Sequence, residues 1–61
     1  MIIKQETELR VSRIKIVYEQ HELPAVKQHI ATYNEKGFYV SDMGNVEGKD
    51  KRFYELKKKE I

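Results

Sequence analysis

An α+β fold of βαββ order, with one helix packed on a small three-stranded and mainly antiparallel sheet, is predicted by three features of the chain. Residues 13–19 alternate, with Ile14, Ile16 and Tyr18 on one side, the period-two pattern of a half-buried strand. Pro24 is followed by Val26, Ile30 and Tyr33 at helical spacing. Two segments rich in strand-favouring residues, 38–43 and 52–58, flank a stretch that contains Gly44, Asn45, Gly48 and Asp50, which reads as a hairpin.

Taken in order, the first strand spans about residues 9–19. Leu9 and Val11 fall on the opposite parity from Ile14 and Ile16. They share a face with these residues only if a bulge near Ser12 and Arg13 inserts one position; otherwise residues 1–8 form an N-terminal arm or a strand extension. The helix spans about 23–36, because proline is well placed in a first turn, where its missing N–H would have no partner. Gly37 reads as the left-handed residue that stops the helix, with Phe38 packing back on the last turn. The last strand places Tyr54 and Leu56 on one face and Phe53, Glu55 and Lys57 on the other. A right-handed connection joins the first two strands, and the C-terminal strand is expected between them, where it pairs antiparallel on both sides. The whole chain, 1–61, reads as a single small domain.

The expected core unites Ile14, Ile16, Tyr18, Phe38, Val40, Tyr54 and Leu56 with Val26, Ile30 and Tyr33 of the helix. Left outside are Arg13, Lys15 and Val17, then Tyr39, Ser41 and Met43, then Phe53, Glu55 and Lys57. This uncovered face mixes aromatic, apolar and basic groups. Exposed apolar area on so small a domain favours burial against a second copy or another protein, and Ile2, Ile3, Leu9 and Val11 have no obvious place in a monomer core. A homodimer and a protein partner are therefore expected, formed through the open face or through strand pairing within residues 1–11. Lys15, Val17, Tyr39, Arg52, Phe53, Lys57, Lys58 and Lys59 are the candidate interface residues. The same set supports a second reading, single-stranded nucleic-acid binding, with aromatic rings to stack bases and cations to neutralise phosphates.

Charge weighs against that second reading. The net charge is +2, from 12 Lys and Arg against 10 Asp and Glu, and a nucleic-acid binder usually carries a larger excess. The basic character is concentrated in residues 49–59, with six basic and two acidic groups. The terminal lysines also fit a second role, keeping an edge strand and a chain end solvated. The chain has no cysteine, which excludes a disulfide framework, a thiolate nucleophile and Cys-rich zinc modules. Its apolar runs are far shorter than the roughly 20 residues that span a bilayer and shorter than a signal-peptide core. No membrane association and a cytoplasmic location are expected.

Nothing in the sequence assembles a catalytic constellation, a cofactor site or a metal site. His21 and His29 stand eight residues apart in the sequence, not at the four-residue spacing that puts two ligands on one helical face. Glu19 and Glu22 flank His21 and read as a solvated strand-to-helix turn. Ser12 and Ser41 sit in strand patterns without the Gly-x-Ser-x-Gly elbow, and Gly44 and Gly48 lack phosphate-loop spacing. A non-enzymatic interaction or regulatory module is the resulting expectation. The element order is similar to that of very small bacterial and phage proteins such as dodecins. The tryptophan expected at a dodecin flavin site is missing, so the likeness extends to element order alone.

Overall fold

Alternation places the centre of the sheet. The computed structural model describes residues 1–59. Val11–Tyr18 forms a strand, β2, that buries Ser12, Ile14, Ile16 and Tyr18 and turns Arg13 and Lys15 to solvent. No bulge extends this strand backwards. Ile2–Glu8 forms a separate strand, β1, paired antiparallel with β2 from Ile2↔Val17 to Glu8↔Val11. The three-stranded βαββ prediction is therefore corrected to four antiparallel strands in ββαββ order. The physical reason is the two-residue turn Leu9-Arg10, in which Arg10 takes a left-handed φ of 64° and Leu9 stands 96% exposed. A non-glycine residue pays a conformational cost there of roughly 1–2 kcal/mol, which asparagine largely escapes. Arg10→Asn should raise the melting temperature by about 4–16 °C; an unchanged value in a thermal scan would show that the turn is not strained.

After β2, a short 3-10 turn at Gln20–Glu22 leads into the helix α1, Leu23–Glu35, with Pro24 in its first turn. The Glu22 carboxylate accepts the Glu19 N–H at 3.0 Å, which secures the entry to the helix in place of an N-cap side chain. The stop signal works as expected. Phe38 N–H reaches the Tyr33 carbonyl and Gly37 N–H the Asn34 carbonyl, both at 3.0 Å, while Gly37 takes a φ of 96°. The Phe38 ring meets Tyr33 edge-on, 5.7 Å between centroids. Together these form a Schellman motif with its apolar contact.

Tyr39–Asn45 (β3) and Arg52–Lys59 (β4) complete the sheet, whose order is β1-β2-β4-β3. The C-terminal strand lies between β2 and β3, as its antiparallel pairing requires. A bulge between Val40 and Asp42 shifts the register of β3, so Met43, expected on the open face, instead pairs with Tyr54 on the helix side. Gly44 belongs to the strand rather than to the turn. Its missing side chain leaves room for the Phe53 ring, which a Cβ would meet at 3.3 Å.

The buried core is Ile14, Ile16, Tyr18, Val26, Phe38 and Leu56, with Leu23, Ile30, Tyr33 and Tyr54 packed against it. Val40, expected in this group, is 40% exposed, because one helix covers β2 and β4 and leaves both edge strands open. Tyr18 stacks on Tyr54 with centroids 5.6 Å apart. Burial pushes the Tyr18 phenol above its ordinary value of 10.0, neighbouring Tyr54 adds to the shift, and Arg52 opposes it. The folded state thus holds this proton more tightly than the unfolded chain, so stability falls as pH rises above that value. Tyr18→Phe should flatten the decline in melting temperature above about pH 10; an equally steep decline would locate the alkaline weakness elsewhere.

Candidate interface on the open sheet face

Strand pairing arranges the uncovered face in rows that run across the sheet from β1 to β3. One row is Ile2, Val17, Phe53 and Gly44; the next is Lys4, Lys15, Glu55 and Asp42; the third is Glu6, Arg13, Lys57 and Tyr39; and the last joins Glu8, Val11 and Lys59. Ile2, Val17 and Phe53 gather at one end, and charges dominate the other rows, with Tyr39 and Val11 among them. Within the charged rows, Lys15 lies opposite Glu55 and also 5.3 Å from the centroid of the Phe53 ring, a cation–π distance. Phe53 is half-buried between this ammonium and Gly44, whereas Tyr39 is 52% exposed. A shallow depression on the same face is lined by Lys4, Glu6, Arg13, Lys15 and Glu55.

Six of the eight candidate residues, Lys15, Val17, Tyr39, Phe53, Lys57 and Lys59, share this face through the register of their strands. Arg52 and Lys58 do not. Arg52 pairs with Tyr18 and Lys58 with Ser12, on the helix side. Lys58 lies 5.7 Å from the Phe38 ring centroid, and Arg52 lines a depression at the loop end with Gln20, Asn45, Lys49, Asp50 and Lys51. Strand alternation alone separates Arg52 and Lys58 from their neighbours, a signal hidden by grouping the basic residues as one cluster. The residues missed on this face were Lys4, Glu6 and Glu8 of β1, which with Ile2 flank it along its whole length, and Asp42 of β3.

The polar residues weighed for chemistry are engaged locally. The hydroxyls of Thr7 and Ser12 lie 3.3 Å apart across the hairpin, and Ser41 donates to the Glu55 carbonyl at 3.2 Å. Glu19, His21 and Glu22 bring their ligand atoms within 4.8 Å of one another. Two of these three are exposed, and Glu22 is already committed, to the Glu19 N–H and to the Met1 amino group at 2.9 Å. The backbone hydrogen bond from Glu19 and then the bond from the amino group hold the Glu22 carboxyl below its ordinary value of 4.5. The arrangement is that of a capped turn. Among the described residues no helix is long and apolar enough to cross a membrane. Comparison with protein-family models, with curated proteins and with solved structures gives no match to this chain.

Proposed function

We propose that the chain is a non-catalytic protein-interaction or regulatory module that works as a homodimer. The observation that carries this reading is the uncovered sheet face, which holds Ile2, Val17 and Tyr39 among charges of both signs. Lys4, Arg13, Lys15, Lys57 and Lys59 stand there with Glu6, Glu8, Asp42 and Glu55. Five cations beside four carboxylates make a nearly neutral surface, suited to a protein face of matching pattern and poorly suited to a phosphate backbone. The separation of Arg52 and Lys58 from the open face weakens the nucleic-acid reading further, since phosphate contacts and stacking must fall within reach of one strand.

Sedimentation equilibrium at micromolar concentration tests the reading. The expected mass is twice the 7.3 kDa of the chain, with no binding to a fluorescent single-stranded oligonucleotide at low salt. A 7.3 kDa species at high micromolar concentration would refute the homodimer. Oligonucleotide binding that falls steeply with salt and is lost in Tyr39→Ala/Phe53→Ala would establish the nucleic-acid function instead.

A further inference from the structure

The two edges of the sheet are unlike. The β3 edge is broken by the bulge at Ser41, and the Asp42 carboxylate accepts the Met43 N–H at 2.8 Å, which occupies a strand donor. Bulges and occupied donors are how sheets block further strand addition. The β1 edge has neither device. It pairs with β2 without interruption from Ile2 to Glu8, all of its residues are exposed, and it contains no proline. Its apolar end is exposed as well, with Ile2 at 51% and Ile3 at 38%.

The charges on β1 are the usual defence of an open edge, and their pattern decides what they do. Lys4 lies directly opposite Lys15, an unfavourable cross-strand pair. Lys15 has Glu55 across the next pairing and Phe53 beneath its ammonium. Lys4 has neither, and among the described residues no ion pair holds it. A carboxylate placed outside β1, level with Lys4, would complete the row. A second copy of the chain carries such a carboxylate in Glu6.

We propose that two copies associate through β1, antiparallel about a two-fold axis at Gln5, to give one continuous eight-stranded sheet. This rests on the homodimer reading above and names its surface. An axis perpendicular to the sheet pairs residues of the same face, so the strand can centre on Lys4, Gln5 or Glu6. Centring on Lys4 sets the two lysines against each other, and centring on Glu6 does the same to the two glutamates. Centring on Gln5 sets Lys4 opposite the partner's Glu6 twice and Ile3 opposite the partner's Thr7. Backbone geometry permits this register. A two-residue turn closes on a hydrogen-bonded pair, here Glu8↔Val11, so alternation sends the N–H and C=O groups of Ile3, Gln5 and Thr7 outwards. These are the residues that face one another in the Gln5-centred pair. Both helices then lie on one side, and the two open faces join on the other.

Four variants test the proposal beside the wild-type chain. Lys4→Glu removes the Lys4–Lys15 repulsion within the monomer, so it should leave the fold intact while it weakens association by roughly ten- to a hundredfold. The exchanged pair Lys4→Glu/Glu6→Lys should restore association. Gln5→Cys introduces a cysteine into a chain that has none, at a position where an antiparallel pair brings Cα atoms to about 5.5 Å, within disulfide range. Under mild oxidation it should give a covalent dimer, and Tyr39→Cys should not. A wild-type monomer would defeat the homodimer reading itself. A wild-type dimer that withstands Lys4→Glu, or that cross-links through Tyr39→Cys and not Gln5→Cys, would leave the dimer standing and overturn the β1 edge as its surface.

Discussion

Leu56→Ala should remove from about a quarter to all of the stability of the fold. Leu56 is fully buried on the central strand β4, directly opposite Ile14 on β2 and Val40 on β3, and belongs to the cluster that meets Val26 of the helix. Truncating a buried leucine costs about 2–5 kcal/mol, the lost transfer energy plus a cavity the surroundings only partly fill. A domain of this length has about 3–9 kcal/mol to lose. Denaturant titration should show the midpoint falling by about a quarter or more with the slope retained, or no folded baseline at all. Val40→Ala is the informative companion. Val40 sits in the same row but is 40% exposed on the edge strand, so its truncation should cost about 0.5 kcal/mol or less. Equal losses at the two positions would mean that the helix covers β3 as fully as β4.

Gly37→Ala should cost about 1–2 kcal/mol, or about 4–16 °C in melting temperature. The loss comes from the backbone: a φ of 96° is a conformation that side-chain-bearing residues rarely adopt. Space is not the obstacle, since an added Cβ would meet only the flexible end of Lys58, at 3.4 Å from Cε. If the variant instead opens the last helical turn to escape the strain, the bonds from Gly37 to Asn34 and from Phe38 to Tyr33 are lost. The Phe38 contact with Tyr33 then loosens. A melting temperature unchanged from wild type would remove the Schellman motif from this account.

Legibility followed burial and turn chemistry. The β2 strand could be read because one of its faces is buried, which forces apolar residues onto alternate positions; the helix end could be read because only glycine suits the Gly37 conformation. The β1 strand had neither signal. All its residues are exposed, so no alternation is imposed, and its turn uses Leu9-Arg10 where glycine or asparagine would have announced a hairpin. The bulge at Ser41 has no local sequence mark either, and it moved Met43 to the helix side and Asp42 to the open face. The candidate surface was legible to the same extent. Lys15, Val17, Phe53 and Lys57 follow from strand parity, while Lys4 and Glu6 depend on a strand that only the folded sheet reveals.

Backbone amide exchange along β1 tests the association most directly. Lys4 and Glu6 amides point towards β2 in the proposed pairing and should be protected at every concentration at which the hairpin is folded. Ile3, Gln5 and Thr7 amides point outwards and should exchange slowly in concentrated solution and rapidly on dilution. Rapid exchange at Ile3, Gln5 and Thr7 in a solution shown by sedimentation to be dimeric would contradict pairing through this strand.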